Sequence, residues 1–462
     1  MKKHLLLSCL VFSFSGAVWA SENLIDLNAQ KELSITIYNQ DRALVQDERN
    51  AALSTGVQDI AFQSVSDQLI AESALMIGKD ISVLEQNFNY DMLSYYSMMN
   101  KSVGDIVTVE QTNPATGAIA SQKATLMAFD GGSAILKVGD QIKSLGQNER
   151  ISFSKIPDNL RAKPTLVVKI DSKLAGDQTL NLRYLTRGLS WDANYIAQLS
   201  DDETQMDLNG FITLNNRSGI PYKNAKVNLV AGDVNTVARY VAPRAMMAKG
   251  MAMETGMLDN AMPASEALGD FHLYSLPQTT DVLSNQTKQV ALLSKQGVKV
   301  QKVYEYRNVI PTQGEVKNVK PNIFMTFENE KENALGIPLP KGVMRFYKNN
   351  SSGASLFVGE DTIDHTPNKQ QVRLKMGQAF DIFVNAKQTE RVKLSEKSYR
   401  ATYEVTINNG SEKMSTVTIY QSFPTTYRMV SETIASTKET ANMHKWVIPV
   451  LANSEKTFTY TI

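Results

Sequence analysis

Thiol and imidazole chemistry are almost missing from this chain: one cysteine, Cys9, and four histidines in 462 residues. Beyond residue 20 no cysteine remains, so neither disulfides nor thiolate nucleophiles nor thiolate metal sites are available there. His272, His365 and His444 lie far apart, without the His-Glu-x-x-His spacing of a metal-dependent hydrolase. Gly-x-Ser-x-Gly, a phosphate-cradling glycine loop ending in Lys-Ser/Thr, and Gly-x-Gly-x-x-Gly are all absent, which removes the familiar nucleophile and nucleotide machineries. An excess of charge is lacking too: Lys+Arg 48 against Asp+Glu 47 leaves a net charge of +1 and no general drive toward nucleic acid or anionic lipid. No stretch reaches the roughly 20 apolar residues of a membrane-spanning helix.

The start of the chain is distinctive. Lys2 and Lys3 precede an apolar run at residues 5–14, and Val18-Trp19-Ala20 ends in small residues, the pattern of a secretory leader removed after Ala20. Cys9 lies inside that segment, too early for a lipid-modified cysteine. An export signal on a large cysteine-free chain suits a bacterial envelope space better than a eukaryotic secretory route. The expected location is the periplasm or the outer-membrane surface.

A hydrophobic content of 42% over this length can build several cores, about three domains on length alone. Alternation with period two dominates: Tyr399, Ala401, Tyr403, Val405 and Ile407 interleave with Arg400, Thr402, Glu404 and Thr406. The same pattern runs through Leu33, Ile35 and Ile37 near the start and through Phe458, Tyr460 and Ile462 at the end. Turn clusters such as Asn408-Asn409-Gly410 separate these runs without intervening helical periodicity. The expected fold is all-β: several antiparallel β-sandwich (immunoglobulin-like) modules, a small inserted β-barrel and a flexible Met-rich linker. Boundaries are expected at 1–20 (leader), 21–98 (N-terminal β module), 99–158 (barrel insertion), 159–241 (sandwich), 242–270 (linker), 271–394 (sandwich) and 395–462 (C-terminal sandwich strands). A transmembrane barrel would need strands of about 9 to 11 residues, and most runs are shorter.

Three groups of residues invite a functional reading. Met246, Met247, Met251 and Met253, with Met257 and Met262, offer thioethers that suit Cu(I), although a cluster without His or Cys reads more simply as a linker. Glu360, Asp364 and His365, beside Asp361, bring carboxylates and an imidazole within six residues, a candidate acid–base set; Pro367 and the Asp residues equally spell a turn. Trp191, Asp192 and Tyr195 compose a candidate carbohydrate platform, whereas a Trp on a sandwich strand is ordinarily a core plug. The run Asp201-Asp202-Glu203 reads as a wet loop, and the stretch around Asp207-Leu208-Asn209-Gly210 lacks the carboxylates a calcium loop needs at its first and last positions.

Tyr184-Leu185-Thr186-Arg187-Gly188-Leu189-Ser190-Trp191-Asp192-Ala193-Asn194-Tyr195, the segment 215–233, and Phe357-Val358-Gly359-Glu360-Asp361 through Pro367 with 377–381 also carry a resemblance. Over roughly residues 165–462 the chain resembles the bacterial envelope family known as domain of unknown function 4139, related to the mucoidy-inhibitor proteins. The resemblance implies a β-rich exported protein and brings no catalytic residues. Unlike the mucoidy-inhibitor members, this chain has no long heptad-patterned helical region after its N-terminal module.

The function expected from all this is non-enzymatic: an envelope protein that binds another envelope component, protein or glycan, with no cofactor, no nucleic acid and peripheral outer-membrane association as one possible setting. Two alternatives stand beside it, a hydrolase of envelope polysaccharide using Glu360 and Asp364 and a copper-handling role for the Met-rich segment.

Overall fold

The structure, a computed structural model, describes residues 22–89, 91–157, 160–232, 234, 264–268, 271–308, 314–396, 398–424 and 426–462. The leader and the methionines Met246, Met247, Met251, Met253, Met257 and Met262 lie outside the described residues. The fold is all-β and sandwich-like, with one α-helix among the described residues. Period two is what builds it: the strand Ser398–Asn409 reads eeeBiBiBiBiB in burial, and Gln30–Tyr38, Leu189–Leu199 and Gln205–Asn216 alternate in the same way.

Among the described residues six sheets form three hydrophobic cores. In the first sandwich a four-stranded sheet (Asn23–Ile25, Gly56–Gln63, Thr165–Ser172, Ile81–Asn89) faces an eight-stranded one that runs through Tyr222–Ala231, Gln30–Tyr38, Arg42–Leu53 and Gly176–Thr186. Fully buried Arg49, paired with Asp47 at 2.7 Å, donates to the carbonyls of Ile25 and Gln63 and so stitches one sheet to the other. Strands before the small inserted module therefore pair with strands after it: the segments 21–98 and 159–241 share both sheets. The last residues of the expected linker are also a strand, Ala264–Leu268, hydrogen-bonded to Phe271–Ser275.

The insertion, expected as a barrel, is a five-stranded half-barrel. Its outer strands, Gln141–Ser144 and Glu149–Ser152, are four residues each and are not paired with one another; the Lys143–Glu149 ion pair spans them instead. The helix Tyr95–Lys101 plugs this module with Met99, fully buried in its core, and Ser94 caps the helix in a reciprocal bond with Ser97.

A five-stranded middle sheet follows, ordered Gln286–Lys299, Gln205–Asn216, Leu189–Leu199, Gly342–Asn349, Ser355–Ile363, and it shares the large first core. A six-stranded sheet bridges onward. Its strands Gln370–Gln378 and Asn322–Asn329 supply Val372, Leu374, Met325 and Phe327 to the large core, while Ser415–Ser422 and Met443–Val450 supply Val417, Ile419, Trp446 and Ile448 to the C-terminal one. The C-terminal sandwich is closed by Glu315–Val319, Ile382–Ser395, Ser398–Asn409 and Ser454–Thr461. No described helix is long and apolar enough to cross a membrane.

Candidate functional site

Trp191 and Tyr195 point inward. Both are fully buried; Trp191 meets Tyr274 edge-on at 6.3 Å and the Tyr195 hydroxyl donates to the Pro340 carbonyl at 2.7 Å. Burial pushes the Tyr195 phenol well above its ordinary value. A ring without accessible surface cannot stack on a sugar, so the carbohydrate platform is corrected to a core: the inward phase of the strand takes both aromatics and leaves Asp192 exposed on the opposite face.

The acidic cluster divides just as plainly. Glu360 lies on the strand Ser355–Ile363 opposite Arg345 and pairs with its guanidinium at 2.9 Å. Asp361 accepts the backbone N–H groups of Thr362 and Lys375. The strand ends at Ile363, so Asp364 and His365 fall beyond it, in the stretch that Pro367 and the Asp residues mark as a turn. The Asp364 side chain is 94% exposed, 3.8 Å from Lys341 Nζ, and His365 Nδ1 accepts the Lys341 N–H. These groups act on strand pairing and turn closure. Among the described residues no group of three or more His, Cys, Asp or Glu is placed to hold a metal ion.

Glu203, expected in a wet loop, is a clamp. It accepts from Lys302 at 2.8 Å and Lys348 at 2.7 Å, joining the six-stranded sheet to the middle one. Burial alone would raise its carboxyl, and the two lysines outweigh burial and bring it below the usual range. Asp202 beside it, held by the Ser200 and Thr204 hydroxyls and the Thr204 N–H, lies at about 2.

A concavity with more to offer a ligand lies elsewhere, at the end of the C-terminal sandwich. The hairpin Ile382–Ser395 and Ser398–Asn409 runs past its facing sheet, and Asn308, Gln388, Arg391, Tyr399, Ala401, Tyr403, Gln421, Ser422, Phe423, Pro424 and Ile462 enclose an open groove of about 510 Å³. Tyr399 is 46% exposed, with the Arg391 guanidinium 4.4 Å from its ring centre. Tyr403 and Phe423 form a rigid floor, because Tyr403 stacks on Tyr460 at 5.4 Å and Tyr460 on Trp446 at 4.9 Å, while Phe423 leans on Tyr427 and Tyr460. Burial raises the Tyr403 phenol and Arg391 pulls it partly back, so at neutral pH it is an uncharged hydrogen-bonding group. Among the described lining residues Arg391 carries the sole side-chain charge. Such a surface can recognise; its described residues present no paired acid and base. Sequence reading missed it because its residues come from separate stretches of the chain, touched only by the Tyr399–Ile407 alternation and by Ile462 at the end of the last one.

A family model described as Domain of unknown function (DUF4139) matches residues 180–462. That span includes the middle sheet, the bridging sheet and the whole groove. A search of curated proteins finds no matching relative.

Proposed function

The chain belongs to the family described as Domain of unknown function (DUF4139), and from that premise we propose that it is an exported, non-enzymatic binding protein of the bacterial envelope, periplasmic or attached to the outer-membrane surface, which holds another envelope component in the C-terminal groove. The groove carries the reading: one exposed aromatic, one guanidinium and several amides on a stacked aromatic floor supply stacking, charge and hydrogen bonding without a catalytic pair. The leader-like residues 1–20 and the cysteine-free remainder support the compartment.

The hydrolase alternative draws no support from Glu360, which Arg345 engages, or from Asp364, which stands in solvent. The test is binding of the purified chain to separated envelope fractions, protein, glycan and lipid, measured beside Tyr399→Ala and Arg391→Ala. One fraction binds, and either substitution weakens it at least about tenfold, the loss expected for removing an anchor worth roughly 1.4 kcal/mol. Equal binding by the variants, or binding of no fraction, would falsify the assignment.

A further inference from the structure

The chain is built twice. In the first half Tyr222–Ala231, Gln30–Tyr38, Arg42–Leu53 and Gly176–Thr186 lie side by side, the first pair parallel and the others antiparallel. In the second half Ser415–Ser422, Gln301–Arg307, Asn322–Asn329 and Gln370–Gln378 repeat that order and those directions. A hairpin follows in each: Leu189–Leu199 with Gln205–Asn216, and Ile382–Ser395 with Ser398–Asn409. Asn216 sits opposite Leu189 as Asn409 sits opposite Ile382, and each buried amide accepts from a serine two residues on, Ser218 or Ser411.

This register aligns the halves residue by residue, with Thr389 as one extra residue in a bulge. Tyr195 corresponds to Gln388, Ala197 to Arg391, Leu199 to Lys393, Met206 to Tyr399 and Leu208 to Ala401. In the first half the junction is complete. Residues 193–199 pair in parallel with 342–348 of the second half, and Ala197, Leu199, Met206 and Leu208 are buried in one core with Met325, Phe327 and Leu335. In the second half the described residues leave it open. The strand Glu315–Val319 reaches only Val384, Ala386 and Lys387, and beyond them, among the described residues, 388–395 pair on one side alone. The corresponding inward positions hold Arg391 and Lys393 in place of Ala197 and Leu199, and both are exposed without a carboxylate partner among the described residues.

We propose that the groove is a strand-acceptor site: an extended, acidic segment of a partner protein adds in parallel to residues 388–395, as 342–348 add to 193–199, and presents carboxylates to Arg391 and Lys393. This rests on the groove being the recognition site and names its occupant. The edge supplies main-chain hydrogen bonds and the two cations supply selectivity. Glycan has no counterpart to the ladder.

The probe is a labelled peptide copying residues 341–350 with Phe346→Glu and Lys348→Glu, the positions that register places opposite Arg391 and Lys393. Its titration into the full chain is compared with an N-methylated version that keeps every side chain and loses ladder donors. Saturable binding is expected, weakened at least tenfold by N-methylation and by the Arg391→Ala/Lys393→Ala double variant, with amide exchange slowed within 388–395. Absence of saturable binding, indifference to N-methylation, or no slowing at 388–395 overturns strand addition. An envelope glycan bound through Tyr399 with an unprotected edge also overturns it while leaving the binding function intact; loss of all groove-dependent binding removes both.

Discussion

Asn409 shows how one residue can close a sandwich corner. Its amide Nδ2 donates toward the carbonyls of Lys413, Val450 and Leu451, and its Oδ1 accepts from the N–H and hydroxyl of Ser411, all with the residue buried. Buried backbone polar groups left unpaired are costly. Asn409→Ala is therefore expected to lower stability by about 3 kcal/mol, because several carbonyls and one N–H lose their partner together. Asn409→Asp should be no better, since a carboxylate cannot donate to those carbonyls. Urea unfolding is the check: a midpoint unchanged in Asn409→Ala would refute the corner's role. The sequence showed Asn408-Asn409-Gly410 as a turn; the strand in fact runs through Asn409 and the connection begins at Gly410, and composition cannot distinguish an asparagine that merely permits a turn from one that bonds across it. Trp191 was more legible, for a bulky ring in the inward phase of an alternating strand has only the core to enter.

Among the elements, the strands were readable because each face meets one environment, and the helix Tyr95–Lys101 was not, because seven residues are too few to display a helical period. The C-terminal segment 431–440 illustrates an element held by side chains rather than by a long ladder. Ser436 lies 2.6 Å from His444 Nδ1, Trp446 Nε1 donates to Ile434, and the Ser436 N–H donates to Glu432. His444 is packed by Phe423, Tyr427 and Trp446; burial lowers its basicity, Glu432 raises it less, and Lys438 lowers it slightly, so the net direction is down from 6.5. The folded state thus prefers neutral imidazole, and from the folded value up to 6.5 the unfolded chain binds more protons. Stability contributed by this site is complete above that window and falls as pH drops through it. Thermal unfolding followed between about pH 7.5 and pH 5 should show a declining midpoint that His444→Gln flattens. An identical slope in the variant would assign the decline to other groups.

At the scale of the molecule, what the sequence concealed is the pairing of distant segments. Alternation tells which side of a strand is buried and nothing about which strand lies beside it; Gly176–Thr186 pairs with Arg42–Leu53 across the whole inserted module. The insertion was nevertheless legible, as short strands between Asn113-Pro114-Ala115-Thr116-Gly117 and Asp130-Gly131-Gly132 turns, and its position now has a consequence. The strand before it, Ile81–Asn89, and the strand after it, Thr165–Ser172, are antiparallel neighbours, with Asn89 directly opposite Thr165. The half-barrel has its own core, around Met99, Val107, Val109, Leu126 and Leu136, separate from the large one. Replacing residues 91–162 by a short Asn-Gly turn should therefore join two strands already in register, while retaining Pro164, whose carbonyl accepts from the Ser64 and Val65 N–H groups. Loss of the Arg161–Glu22 ion pair, partly exposed, costs about 1 kcal/mol or less. The excised protein should keep its β-rich circular dichroism, unfold within a few degrees of the parent, on the order of 1 kcal/mol spread over a large domain, and retain binding at the C-terminal groove. A molten or aggregated product would show instead that the half-barrel helps to fold the sandwich it interrupts.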